Sequence, residues 1–87
     1  KMGKTMVIYK INAVDMEKID DLLEILKTVK SGEFRDAKKI PIAFGAEFIK
    51  VAFTVPEKDD NAIEELSKEL NELPEVEDAE MQEMTLL

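Results

Sequence analysis

Residues 5–29, TMVIYKINAVDMEKIDDLLEILKTV, contain a change of hydrophobic period that decides the fold. In residues 5–14 apolar and polar side chains alternate, which is typical of a strand with one buried face. After Asp15, which can cap a helix, the apolar residues recur every three or four positions and predict an amphipathic helix of about four turns. The strand would bury Val7, Tyr9, Ile11 and Ala13 and expose Lys10 and Asn12, and the helix would bury Met16, Ile19, Leu22, Leu23, Leu26 and Val29.

The next segment predicts two more strands. Gly32 follows the helix and is expected to end it in a left-handed conformation. Residues 34–40 alternate poorly and carry charges, which favours an edge strand or a strand with a bulge, ended by Pro41. Residues 43–55 alternate strongly. Their apolar face is Ile49, Val51, Phe53 and Val55, and Phe48, Lys50 and Thr54 are on the other face.

The rest of the chain predicts a second helix and a last strand. Asp59 or Asp60 can cap a helix that Pro74 stops, with Ile63, Leu66, Leu70 and Leu73 on its apolar face. Val76, Ala79 and Met81 then indicate an acidic edge strand. The order strand, helix, strand, strand, helix, strand predicts an α+β, ferredoxin-like split βαβ sandwich, with one antiparallel sheet and both helices on one face. The residues expected to be most buried are Ile11, Leu22, Leu26, Val51, Leu66 and Leu70.

Composition limits the possible functions. The 87 residues suit a single domain, residues 1–87, with a net charge of −8 that opposes binding to nucleic acid or anionic lipid. Cysteine and histidine are absent, so disulfides, Cys/His zinc sites and a histidine general base are excluded. No apolar run is long enough for a membrane helix. The methionines are expected to fill the core.

The segment Ile40–Gly45, IPIAFG, connects the second and third strands and is apolar where a surface turn is usually polar. Two interpretations remain open: Phe44 seals the end of the sheet, or it is presented to a partner protein as an aromatic anchor. Nearby Arg35, Lys38 and Lys39 either form a solvated edge or attract an acidic partner surface.

Residues 39–51, KIPIAFGAEFIKV, resemble the hallmark of the elongation factor 1-beta family, especially its archaeal members. The resemblance rests on Pro41, Ile42, Ala43, Phe44 and Gly45. It implies a cytoplasmic exchange factor that promotes GDP release and GTP rebinding on the GTPase elongation factor 1-alpha. It also implies that Phe44 contacts that GTPase. The expected factor has no cofactor, no metal and no catalytic residue of its own.

The resemblance also directs attention to the C-terminal residues. In eukaryotic members of the family a penultimate lysine reaches toward the magnesium and phosphate region of the GTPase, whereas this chain has Leu86 there. We expect the Phe44 hairpin and the last residues to form the GTPase-binding surface together. The second segment consists of Met84, Thr85, Leu86 and Leu87.

Two other functions are weighed. In an RNA-recognition module the third strand would present stacked aromatic side chains, but Phe48 and Phe53 fall on opposite faces. A small ligand-binding or oligomerising regulatory domain could use the sheet face that carries Lys10, Asn12, Phe48 and Lys50. An independent enzyme is not indicated, because no nucleophile–base pair or phosphate loop is visible.

Overall fold

A computed structural model describes residues 3–56 and 61–86. Its elements are β1 (Lys4–Ala13), a 3₁₀ turn (Met16–Lys18), α1 (Ile19–Leu26), β2 (Glu33–Pro41), β3 (Glu47–Pro56), α2 (Ala62–Glu72) and β4 (Val76–Leu86). The strands form one sheet in the order β2-β3-β1-β4, and all neighbouring strands are antiparallel. This is the predicted ferredoxin-like topology. The predicted cap at Asp59 or Asp60 lies outside the described residues.

One hydrophobic core joins the sheet to both helices. Alternate residues of β1 and β3 face α1 and α2, so no helix of the described residues lies over the opposite face of the sheet. We call this uncovered side the open face. The six residues predicted to be most buried are all fully inaccessible: Ile11, Leu22, Leu26, Val51, Leu66 and Leu70. Burying each such side chain stabilises the fold by about 1.5–3 kcal/mol.

The hydroxyl of Tyr9, which lies in this core, has a hydrogen-bond partner. The hydroxyls of Tyr9 in β1 and Ser67 in α2 lie 2.6 Å apart and share a hydrogen bond. Burial raises the pKa of Tyr9 above its ordinary value, and the bond to Ser67 opposes that rise only partly. The phenol therefore stays neutral and links the sheet to α2.

Two side chains of α2 fix the neighbouring segments. Asn71 forms hydrogen bonds with both the backbone N–H and the carbonyl of Ala79, which holds β4 against the helix. Glu69 accepts hydrogen bonds from the backbone N–H groups of Lys30 and Ser31. Partial burial alone would raise the pKa of Glu69, but these bonds and the Ser31 side chain lower it below its ordinary value.

The end of α1 differs from the prediction. The helix stops at Leu26 rather than near residue 30, because the following N–H groups bond to carbonyls three residues back and tighten the chain. Gly32 does not adopt the expected left-handed conformation, since Gly45 is the glycine with positive φ in the described part. Gly32 instead allows close packing. A Cβ at this position would lie 3.2 Å from Leu66 Cδ2 and 3.3 Å from Phe53 Cβ.

Both edges of the sheet are irregular. Strand β2 is the predicted charged edge, and the register shifts between Phe34 and Asp36, which leaves Arg35 as an extra residue. Strand β4 is the other edge. Gln82 is extra on it, because Glu83 pairs with Ile8 and Met81 pairs with Tyr9, and Glu77 is extra between Asp78 and Val76. Such bulges are common at the edges of sheets.

Candidate functional site

The β2–β3 connection is a tight turn with a strained residue at its tip. The Ala46 N–H donates to the Ala43 carbonyl at 3.1 Å, and the Ile42 N–H donates to the Ala46 carbonyl at 2.7 Å. Between them Phe44 has φ +60° and Gly45 has φ +78°. Positive φ at both central residues is characteristic of a type I′ turn. Glycine adopts it freely, whereas a residue with a Cβ adopts it at a cost of about 1–2 kcal/mol.

The strain at Phe44 is not offset by packing. The relative exposure of this residue is 105%. The rest of the motif, Pro41, Ile42, Ala43 and Gly45, is also exposed. The interpretation in which Phe44 seals the end of the sheet is therefore wrong. A strained backbone that presents a large apolar ring to solvent destabilises the isolated domain, and this points to a use outside it.

Sequence reasoning missed two exposed apolar residues at the same end of the sheet as this hairpin. Val14 and Met16 follow β1 at the same end of the sheet, and both are exposed. The Met16 sulfur accepts a hydrogen bond from the Glu47 N–H at 3.4 Å, which ties the 3₁₀ turn to the start of β3. The prediction that the methionines fill the core is wrong, because Met16, Met81 and Met84 are all exposed.

The described end of β4 lies at the other end of the sheet. Leu86 pairs with Thr5 and Met84 with Val7, beside the start of β1. The hairpin instead extends beyond the pair formed by Ile11 and Ile49. From Thr5 to Ile11 is six residues, about 20 Å at the rise of a strand, and the turn lies further still.

The structure therefore does not bring the two predicted segments together. Met84, Thr85 and Leu86 are exposed, as the hairpin is, so both ends of the sheet offer apolar side chains. Leu87 lies outside the described residues.

The three basic residues predicted to cluster near the hairpin do not form a cluster, because each has different neighbours. Lys39 Nζ lies 2.7 Å from Asp20 Oδ1 on α1, and this hydrogen bond raises the pKa of Lys39. Arg35 Nη1 lies 3.7 Å from Glu33 Oε1, which also accepts hydrogen bonds from Lys4 and Thr54. These contacts, that of Lys4 foremost, lower the pKa of Glu33. Lys38 belongs instead to the open face.

The open face gathers the residues considered for a small ligand. Lys38 on β2 lies directly opposite Lys50 on β3, and Lys50 lies directly opposite Lys10 on β1. The Lys10 ammonium lies 4.9 Å from the centre of the Phe48 ring, a cation–π contact. We call Lys38, Lys50 and Lys10 the lysine row.

Within residues 3–56 and 61–86, no helix has the length and apolar character that crossing a lipid bilayer requires.

One protein family resembles the chain over nearly its whole length. The sequence profile of the family described as the EF-1 guanine nucleotide exchange domain matches residues 6–87. The matched range contains both candidate segments, the hairpin and the end of β4. No curated protein matches the chain at a significant level.

Proposed function

The chain belongs to the family of EF-1 guanine nucleotide exchange domains, and we propose that it contacts its GTPase partner through the two ends of its sheet. The family assigns the activity: guanine nucleotide exchange on elongation factor 1-alpha. In the proposal, Pro41–Gly45 forms one contact and Met84–Leu87 forms the other. The contacts are separate, because about 20 Å or more of β1 lies between them.

The observation that carries this proposal is the conformation of Phe44. Its ring is fully exposed at the tip of a turn that disfavours a residue with a side chain. Glycine or asparagine would form the same turn at a lower cost. An aromatic ring that enters a pocket of a partner offsets such a cost, because buried aromatic anchors dominate the energetics of many interfaces.

Exchange needs no bond-making chemistry from this domain. GTPases hold their nucleotide through its phosphates and a magnesium ion. A protein that binds the nucleotide-free form more tightly than the GDP-bound form shifts the equilibrium toward release, and only this difference in affinity can do so. Two contacts on a rigid sheet suit this task, because both form fully only when the partner holds its own surfaces at the matching separation.

The same proposal covers the biological setting. On the strength of the Pro41–Gly45 motif we assign the chain to the archaeal elongation factor 1-beta branch, with residues 1–87 acting as one domain in the cytoplasm. The domain acts on its GTPase by protein contact and not as an enzyme, and it binds neither nucleic acid nor membrane. The family match favours this function over a ligand-binding or oligomerising regulatory domain.

The test is release of a fluorescent GDP analogue from elongation factor 1-alpha, measured by stopped flow with and without the domain. We expect release to accelerate with the concentration of the domain until it saturates. Absence of any acceleration, with a partner that binds GDP normally, would refute the proposed function.

A second experiment tests the contact at the end of β4. If apolar side chains at this end press on the partner, deleting residues 84–87 slows exchange and Leu86→Lys changes it little. If the partner requires a positive charge here, Leu86→Lys raises the rate. Met81→Ala is the control, since it removes an exposed apolar side chain from the same strand. An unchanged rate after the deletion would show that this end makes no contact.

A further inference from the structure

The lysine row is the most unusual surface of this acidic molecule. Lys38, Lys50 and Lys10 stand side by side on three adjacent strands, about 4.8 Å apart from strand to strand. The fourth strand continues the row with Glu80 opposite Lys10. In the part of the chain that the structure covers, ion pairs join Lys4, Lys27, Arg35 and Lys39 to carboxylates, and none involves the three lysines of the row.

This arrangement costs stability. Like charges directly opposite each other on one face of a sheet repel, and Lys50 has a lysine on both sides. The chain has 20 acidic residues, so carboxylates to relieve the repulsion are not scarce. Apolar side chains flank the row: Phe48 and Ile40 on one side and Ala52 and Ile8 on the other, all half-buried. Asp36 also belongs to this border and lines a groove of about 240 Å³ together with Lys38 and Lys50, so the borders of the row are mainly but not wholly apolar.

On the opposite side of the molecule, the helices are rich in acidic residues. The exposed residues of the helices include many carboxylates: Asp20, Asp21, Glu24, Glu64, Glu65 and Glu72. Lys27, the basic residue just after α1, is paired with Glu24. The two faces of the sandwich thus present different potentials to any partner that reaches both ends of the sheet.

We propose that the open face lies against the GTPase and that the lysine row meets an acidic patch on it. The inference rests on the proposed function, because it adds a third contact to the two at the ends of the sheet. Met84 and Leu86 pair with Val7 and Thr5 and lie on the helix side of β4, so the end contact at β4 does not by itself reach the open face. Among the described residues, the row sets three lysines that no ion pair joins to a carboxylate side by side between mostly apolar side chains, and this favours a protein surface of carboxylates among apolar groups.

Single-stranded RNA is a less suitable occupant of this face. The Lys10 ammonium already covers the ring of Phe48, the aromatic side chain of the row's border. Acidic residues of β4 line the far side of the same face, with Asp78 opposite Asn12 and Glu83 opposite Ile8. These carboxylates would repel a phosphate backbone that runs across the strands.

Charge reversal tests the inference. In K38E/K50E we expect the second-order rate constant for accelerated GDP release to fall about 10-fold at low salt, and the deficit to shrink as salt rises. The matched control is Lys68→Glu, the same change of charge at an exposed position on α2. It should alter release less than about 2-fold, because α2 lies on the other side of the sheet.

A stability measurement separates function from folding. Lys50→Glu places a carboxylate between Lys38 and Lys10, so its thermal midpoint should rise by a few degrees while its exchange falls. A misfolded variant would lose both. A lowered midpoint would contradict the assigned repulsion.

The outcomes separate a failure of the proposed function from a failure of the lysine-row inference. If wild-type protein fails to accelerate GDP release, the proposed function is wrong. If wild-type protein is active and K38E/K50E is equally active at low salt, the lysine-row inference is wrong and the proposed function stands. Tight binding of a fluorescent single-stranded RNA 12-mer by wild-type protein, abolished in K38E/K50E, would assign the face to RNA and overturn the inference.

Discussion

Replacing Phe44 by asparagine tests whether Phe44 lowers the stability of the domain and strengthens its binding to the GTPase. Asparagine tolerates the left-handed region far better than phenylalanine, for which the cost is about 1–2 kcal/mol. The ring makes no packing contact that the replacement would lose, because the residue is fully exposed. We therefore expect Phe44→Asn to raise the free energy of unfolding by up to about 1 kcal/mol, which corresponds to a rise in the thermal midpoint of about 4–8 °C.

The effect on exchange should have the opposite sign. Burying a whole phenylalanine side chain in a partner contributes about 1.5–3 kcal/mol. At 1.4 kcal/mol for each factor of ten, losing it lowers the efficiency of accelerated GDP release by roughly 10- to 150-fold. Phe44→Tyr, which keeps both the ring and the strain, should retain most of the activity and the wild-type stability.

The assay pairs two measurements on each variant: thermal unfolding by circular dichroism, and stopped-flow release of a fluorescent GDP analogue. A stabilised Phe44→Asn with undiminished exchange would refute the role of Phe44 as an anchor. A destabilised Phe44→Asn would refute the assignment of strain to the turn. A weak Phe44→Tyr would show that the partner's pocket excludes the hydroxyl.

Three further predictions concern the fold. Leu66→Ala, at a fully buried site, should lower the free energy of unfolding by about 2–5 kcal/mol in urea titrations, and a loss well below 1 kcal/mol would contradict the core assignment. Gly32→Ala should cost about 1–3 kcal/mol in the same assay, because its methyl group would crowd Leu66 Cδ2 at 3.2 Å, and wild-type stability would show that the helix yields. Glu69→Gln should be less stable than wild type at pH 7; because the folded state lowers the pKa of Glu69, this difference exists above the ordinary value of 4.5 and fades as the pH falls through the folded value. Equal urea midpoints of the two proteins at pH 7, or a difference that does not shrink as the pH falls below 4.5, would contradict it.

The strands and helices were predictable because their hydrophobic periods are strong. The alternation from Val7 to Ala13 and the helical spacing around Leu66 matched the structure closely. Helix ends were less predictable. After Leu26 the backbone hydrogen bonds span three residues instead of four, and the Thr28 hydroxyl donates to the Ile25 carbonyl. The spacing of apolar residues does not reveal this change. The role of Gly32 depended on Leu66 and Phe53, which are distant in sequence.

The candidate hairpin could be singled out from the sequence, but its geometry could be predicted only partly. The motif from Pro41 to Gly45 was recognisable by residue type, but the positive φ of Phe44 is a property of the closed hairpin. The separation of Phe44 from Leu86 follows from the strand directions, which were predicted, so sequence reasoning could have reached it. The lysine row could not be predicted, because bringing Lys38, Lys50 and Lys10 into line requires the register of three strands.

The irregular edges of the sheet have a consequence for self-association. Strand β2 carries Arg35, Lys38 and Lys39, whereas β4 carries Glu77, Asp78, Glu80 and Glu83. Copies placed edge to edge would set a basic strand beside an acidic one, in a contact that repeats without closing and so leads to filaments. The bulges at Arg35, Glu77 and Gln82 interrupt the regular backbone donors and acceptors on which such growth depends. Three single extra residues thus oppose polymerisation of a molecule whose two edge strands differ in the sign of their net charge.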